Sequence, residues 1–320
     1  MVSRAQARRF ATAALALGAV LLAGAAAPRP RPPGPPGLEG LWTNVSATPL
    51  ERPASLTGPT ATAPEAVAYL KVYAADNAAD DASGVGGGDS EWWERGTQLL
   101  RIDGRFRTSM IVDPADGRLP WSDAGRATAA RVMTSNYDNP ERRPPGEWCL
   151  MGGSGSASVP MLPHRSSSLY MFVQTPDHVA IWMESGHDPR IIRLKAGPRL
   201  PSSMHPWAGD SLGHWQGRTL VVETTNLNPG EGWKFPLGVY ISPDAKVTER
   251  FTRLSKGEIL YGFTVDDPQI YARPWRGELV LRAAKGPIFE YACHEGNYSL
   301  PGILAGARHD EAATGKSAGP

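Results

Sequence analysis

Apolar and polar residues alternate with period two through the second half of the chain, and this predicts a series of short strands. Runs at 169–174 and 179–184 flank Thr175-Pro176-Asp177, and a run at 190–194 follows the break at His187-Asp188-Pro189. Further pairs flank Gln216-Gly217 (211–215 and 219–225), Ser255-Lys256-Gly257 (247–254 and 259–265) and Lys285-Gly286 (278–282 and 288–293). Strand-forming runs joined by short glycine- or proline-bearing turns are hairpin signals. Hairpins in succession, with no helix between them, make an antiparallel meander, and closing it into a barrel removes exposed edges. The expected fold class is therefore all-β, mainly one antiparallel up-and-down β-barrel. A barrel of about eight to ten strands is just wide enough to hold a small ligand.

The first half is less regular. Gly40-Leu41-Trp42 opens the first strand, and a Gly-x-Trp there resembles the lipocalin signature, so the barrel is expected to be lipocalin-like. Residues 63–81 read as a helix with Pro64 in its first turn, and Ser122 caps a second with apolar Ala124, Ala127, Ala130 and Val132. Two short strands, 99–102 and 108–112, surround Asp103-Gly104, and a long loop region fills the rest. Neither glycine-rich stretch carries chemistry. Residues 84–88 lack the flanking strand and Lys-Ser/Thr of a phosphate loop, and 152–156 lack the final glycine of a nucleophile elbow.

The ends of the chain change the picture. Arg4, Arg8 and Arg9 precede an apolar run at 10–22 and the small residues Ala23-Gly24-Ala25, the order of a cleavable signal peptide. We assign 1–27 to that signal, 28–38 to a proline-rich linker, 39–309 to a single barrel domain and 310–320 to a flexible tail. The expected location is periplasmic or secreted, with no stable membrane span after cleavage. Charge is nearly balanced, 33 basic against 32 acidic residues, which points away from nucleic acid. Cys149 and Cys293 are the two cysteines, and in an oxidising compartment they are expected to pair.

Polar side chains on half-apolar strands mark the candidate site. Glu223 shares a strand face with Val221 and Thr225, Glu249 with Phe251, and Glu290 and His294 with Ile288. A carboxylate among aliphatics is costly unless paired, and a ligand-binding interior is where it is tolerated. Solvated cross-strand ion pairs would explain the same residues more plainly. His294 and His187 lie beside Glu295 and Asp188 at strand ends, where a histidine moves protons at neutral pH. The expected catalytic set is His294, His187, Glu290, Glu223 and Asp188. Arg190, Trp215, Asn226, Glu249, Trp275 and Asn297 are expected to bind substrate. No metal or organic cofactor is called for: His294-Glu295 has Tyr298 where a zinc helix needs its second histidine. Trp182, Trp207, Trp215, Trp233 and Trp275 all fall in the β-rich half, most as core or rim packing; several near one mouth would favour a planar, aromatic, terpenoid or sugar-like ligand over a small ion.

Several blocks fall in a specific order: Thr175-Pro176-Asp177-His178, His187-Asp188-Pro189-Arg190, 209–215 (Gly-Asp-Ser-Leu-Gly-His-Trp) and 221–226 (Val-Val-Glu-Thr-Thr-Asn). They continue with 249–253 (Glu-Arg-Phe-Thr-Arg), 264–268 (Thr-Val-Asp-Asp-Pro), Arg273-Pro274-Trp275 and 291–298 (Tyr-Ala-Cys-His-Glu-Gly-Asn-Tyr). In this order they resemble a large family of exported bacterial proteins, over roughly residues 39–309. The resemblance implies export and leaves the activity open. The residues themselves imply a barrel that binds a small, largely apolar or aromatic molecule as a cofactor-independent acid/base enzyme of lyase, isomerase, cyclase or hydratase type. The alternatives are a non-catalytic periplasmic carrier, and a structural protein with no cavity. Both ligand readings place the ligand inside the barrel, and both weaken together if Glu290 and His294 face outward.

Overall fold

A computed structural model describes residues 37–82, 94–133, 145–151, 159–164, 168–186, 189–234, 237–295 and 297–315. The N-terminal half supplies strand β1 (Gly40–Thr43), β2 (Thr60–Ala61), helix α1 (Ala63–Ala82), β3 (Arg101–Ile102), β4 (Arg105–Arg107), β5 (Ile111–Asp113) and helix α2 (Asp123–Met133). The alternating half supplies β6 (Leu169–Gln174), β7 (His178–Met183), β8 (Arg190–Arg193), β9 (Asp210–Gln216) and β10 (Thr219–Thr225). It continues with β11 (Trp233–Lys234), β12 (Val239–Tyr240), β13 (Lys246–Arg253), β14 (Glu258–Asp266) and β15 (Trp275–Ala283), and ends in helix α3 (Ser299–Thr314).

Nine strands close into a barrel in the order β1-β6-β7-β8-β9-β10-β13-β14-β15, with β1 pairing back onto β15. The expected β-barrel is present, and the strand spans read from alternation agree closely with it. One pairing departs from the antiparallel up-and-down order: β8 and β9 run parallel, Ile192 opposite Ser211. The connection 194–209 causes this. It returns along the outside of the barrel, where Arg199 donates to the carbonyls of Asp210 (2.8 Å) and Glu223 (3.0 Å).

The largest correction concerns the last predicted strand. Residues 284–293 form no strand, so the expected hairpin 278–282/288–293 does not exist. β15 has no free edge for it to use. Trp42 and Thr43 of β1 pair with Ala283 and Arg282, while β5 takes the other half of that edge at Arg276 and Gly277. Strand pairing is exclusive along one edge, and the first strand of the chain has already filled the place.

The barrel interior is occupied by its own side chains. Aromatic rings of β13, β14 and β15 pack inward: Phe251 on the opposite Tyr261 with ring centroids 5.0 Å apart, Tyr261 beside Phe263 of the same strand at 5.6 Å, and Phe263 edge-on to Trp275 at 5.4 Å. Gly277 allows that last contact, because a Cβ there would lie 2.3 Å from the Phe263 ring. Leu38, fully buried, closes one end: its amide donates to Gln174 Oε1 and its carbonyl accepts from Trp42 Nε1, each at 2.9 Å. Arg253 lies over the Trp42 ring, 4.6 Å from its centroid. At the opposite end α2 docks on the turn after β14, Ser122 Oγ donating to the Ile270 carbonyl, and the loop around Tyr240 and Ser242 is tied there to Tyr271 and Asp267. Among the described residues three α-helices are present, one more than the two expected, since residues 299–314 form α3. Among the described residues, no helix is long and apolar enough to cross a membrane.

Candidate functional site

Arg190 and Glu249 meet at the centre of the barrel. Both are buried, and both nitrogens of the Arg190 fork engage the carboxylate: Nη1 donates to Oε1 at 3.0 Å and Nη2 to Oε2. Arg190 also donates to Ser211 Oγ (3.0 Å) and Thr224 Oγ1 (2.9 Å). Tyr261 Oη donates to Glu249 Oε1 at 2.8 Å and accepts the amide of Met161 at 2.9 Å. Burial pushes the Tyr261 phenol well above its usual range, the Glu249 charge adding to that, so it acts here as a neutral donor. The network extends outward, because the Met161 carbonyl accepts from Asn44 Nδ2 (3.1 Å), which also donates to Tyr170 Oη (3.2 Å). A charge pair buried this deeply is tolerated only when geometry is good and surrounding hydrogen bonds complete it. This one meets both conditions. Arg190 and Glu249, expected to hold a substrate, hold each other.

The other expected residues lie apart from this centre. Glu223 is on the outer face of β10, half exposed, and pairs with Arg199 at 2.6 Å and Lys246 at 3.9 Å. Its face was misassigned because Val221 beside it is also buried, so burial alternates only partly along β10. Asn226 is a loop clamp: with φ of 54° it turns the chain, and its Nδ2 donates to the carbonyls of Leu200 (3.3 Å), Pro201 (2.8 Å) and Met204 (3.0 Å). Trp275 is core, edge-on to Phe263 and Tyr271, and Trp215, partly buried, packs against the core.

Glu290 and His294 are exposed, because the stretch that carries them is a strap outside the barrel and not an inward-facing strand. The strap is tied down at separate points. The Ala284 amide donates to the Leu41 carbonyl at 2.8 Å, and the Phe289 amide to Glu184 Oε1 at 2.9 Å. Asn297 Nδ2 donates to the Glu147 carbonyl (3.0 Å) and to Cys149 Sγ (3.1 Å). The expected disulfide is present: Cys149, in the turn after the short 3-10 helix Pro145–Trp148, bonds Cys293 of the strap. His187 and Asp188 lie outside the described residues. The expected acid/base set is therefore not brought together by the described chain. Among the described residues no group of three or more histidine, cysteine or acidic side chains is placed to hold a metal ion.

Sequence reasoning missed a cleft at the loop-covered end. It is lined by Val159, Trp207, Leu227, Asn228, Gly232, Lys234 and Ile241, and it is narrow, partly open to solvent, with enclosed room for only a water-sized group. Local geometry explains its walls. Asn228 caps the 3-10 turn Pro229–Glu231 by accepting the Gly230 amide at 2.9 Å, and its Nδ2 donates to the His205 carbonyl at 3.0 Å. Gly232 lets the chain turn tightly into β11, since a Cβ there would sit 2.6 Å from the Ile241 carbonyl oxygen. Asn228-Pro229-Gly230 is a recognisable turn signal, but nothing local marks Trp207 and Lys234 as its neighbours.

Comparison with protein-family models, with curated proteins and with solved structures gave no match to this chain. The site must be argued from its own chemistry. Trp207, Leu227, Val159 and Ile241 offer an apolar, partly aromatic lining; Asn228 and the buried Lys234 add polar groups to it. Ligand pockets combine a mostly apolar wall with a few placed polar groups in this way.

Proposed function

We propose that this is an exported, disulfide-braced β-barrel protein that binds a small, largely apolar or aromatic molecule in the cleft at its loop-covered end and carries it unchanged. The observation that carries the reading is the cleft itself: a tryptophan and three aliphatic residues, with one amide and one lysine at the same wall. Its size limits the ligand. The enclosed part of the cleft has room for only about one water-sized group, so a bound ring or short branched chain would seat one edge there and keep the rest at the open mouth. The disulfide supports an oxidising compartment, and the basic, apolar, small-residue order of residues 1–27 supports export. The Gly-x-Trp at the opening of β1 supports the lipocalin-like assignment, and the block order over 39–309 supports membership of the exported family it resembles.

A carrier fits better than the acid/base enzyme. Glu223 is neutralised by Arg199 on the outside, Glu249 is bound by Arg190 within, and Glu290 and His294 stand on the strap. Proton transfer requires the acid or base within hydrogen-bond reach of the reacting atom. These groups do not converge on the cleft. The test is a panel of single-ring aromatic and short terpenoid compounds, read by tryptophan fluorescence and thermal shift. At a ligand concentration about 100-fold over Kd, the stabilisation expected is about 2.7 kcal/mol. Trp207→Ala should abolish the shift, with every bound compound recovered unaltered. Turnover of any bound compound would restore the enzyme reading; a panel without binders would end both.

A further inference from the structure

The Cys149–Cys293 bond has surroundings that a purely structural staple does not need. Its two residues differ in exposure. Cys149 is buried, at 3% exposure, whereas Cys293 is half-buried on the strap. The buried sulfur accepts a hydrogen bond from Asn297 Nδ2 at 3.1 Å. His294, exposed, follows Cys293 directly. Cys149 itself sits at φ of 58°, a left-handed conformation that a non-glycine residue adopts at a cost. The segment this bond holds has no strand from 284 to 293 and reaches the barrel through isolated side-chain and loop contacts.

We propose that Cys149–Cys293 is a thiol-exchange site, attacked at Cys293 by a dithiol reductant, with Cys149 as the leaving sulfur and Asn297 as the residue that stabilises it. In the first step a thiolate of the dithiol attacks Cys293 Sγ in line with the S–S bond. The new S–S bond forms as the Cys293–Cys149 bond breaks, and the electron pair leaves on Cys149. A leaving thiolate departs faster when it is stabilised. The Asn297 amide is already placed to donate to it. In the second step the dithiol's other sulfur, as thiolate, attacks the mixed disulfide and releases Cys293. The protons lost from the dithiol end on the two cysteines, so two electrons and two protons pass to the protein and the reductant becomes a disulfide. The consequence is mechanical: the strap and α3 lose their covalent tie to the Pro145–Trp148 turn, while the barrel ladder stays whole. The run 291–298, which alternation alone leaves without a purpose, becomes the reactive segment.

The experiment uses the full oxidised chain and dithiothreitol under native conditions. Wild type should be reduced without loss of barrel circular dichroism, and the strap should then become cleavable by protease. With a limiting monothiol, glutathione, followed by alkylation and peptide mapping, the glutathione adduct should sit on Cys293 and the alkyl group on Cys149. Asn297→Ala should slow reduction by about tenfold, the size expected when a hydrogen bond to a charged group is lost. A merely structural Asn297 would give the opposite sign, since a looser strap is reduced faster. An adduct on Cys149, a faster Asn297→Ala, or reduction only after the barrel unfolds would each overturn the proposal.

Discussion

At the scale of single residues, the buried Arg190–Glu249 pair dominates. Its two members are each completed by neighbours, Ser211 and Thr224 on one side and Tyr261 on the other. Removing one partner leaves a charge in the barrel with nothing to balance it. Arg190→Met should therefore destabilise by about 3–5 kcal/mol. Tyr261→Phe should cost less, about 1–3 kcal/mol, because it orphans the Met161 amide and removes one donor to Glu249. Replacing both charges, Arg190→Met with Glu249→Leu, should recover most of the single-mutant loss, since the uncompensated charge is gone. Urea unfolding of the three variants checks this; a double variant as unstable as Arg190→Met alone would show that the pair is not coupled. The inward face of Glu249 was legible in its alternation with Phe251. Its partner was not, because Arg190 is 59 positions away and no local signal links an arginine after a proline to a carboxylate on a distant strand. Glu290 and His294 were misplaced for a different reason. Period-two alternation says which residues share a face only if the stretch is a strand, and the edge it needed was already taken.

At the scale of elements, glycine decides how helices seat. In α2 a Cβ at Gly125 would lie 1.9 Å from the Ile270 carbonyl oxygen, where Ser122 also docks by donating its Oγ to the same oxygen at 3.0 Å. Gly306 in α3 has open space around it. Both are helical glycines, and propensity alone favours alanine at each by up to about 1 kcal/mol. The expected signs are opposite. Gly306→Ala should leave stability unchanged or raise it, while Gly125→Ala should lower it by about 1–3 kcal/mol, the usual cost of overpacking. Paired thermal melts settle it, and a stabilised Gly125→Ala would mean α2 can move off the turn freely. Element positions were the most legible part of this fold. Ser122 was readable as a cap, and its Oγ does accept the Gly125 amide at 2.9 Å. Neighbour relations were less so: alternation fixes the face of β8 and β9 but not that they run parallel, since that depends on the path of 194–209.

At the scale of the whole molecule, the barrel is a solid body with polar threads through it, and alkaline pH probes that body directly. Tyr170, Tyr261 and Tyr271 are buried, and in each case burial is the main cause that raises the phenol above its ordinary value. Tyr69, half-buried on α1, is pushed up to about 12 for the same reason. In the unfolded chain all of them return to about 10. A group whose folded pKa is raised contributes stability that is complete below the unfolded pKa and is lost as pH rises toward the folded one. The protein should therefore hold its stability up to about pH 10 and lose it steeply above, as unfolding releases phenols to ionise. Followed together, tyrosinate absorbance and near-ultraviolet circular dichroism should show Tyr170, Tyr261 and Tyr271 as a late class that ionises only as the tertiary signal collapses. Tyr261→Phe carries a second signature, because it removes one buried phenol from the late class and the donor to Glu249 at once. Its late absorbance step should shrink by one tyrosine and move to lower pH. If every tyrosine ionised in one step near pH 10 while the barrel stayed folded, the interior would have to be open to water.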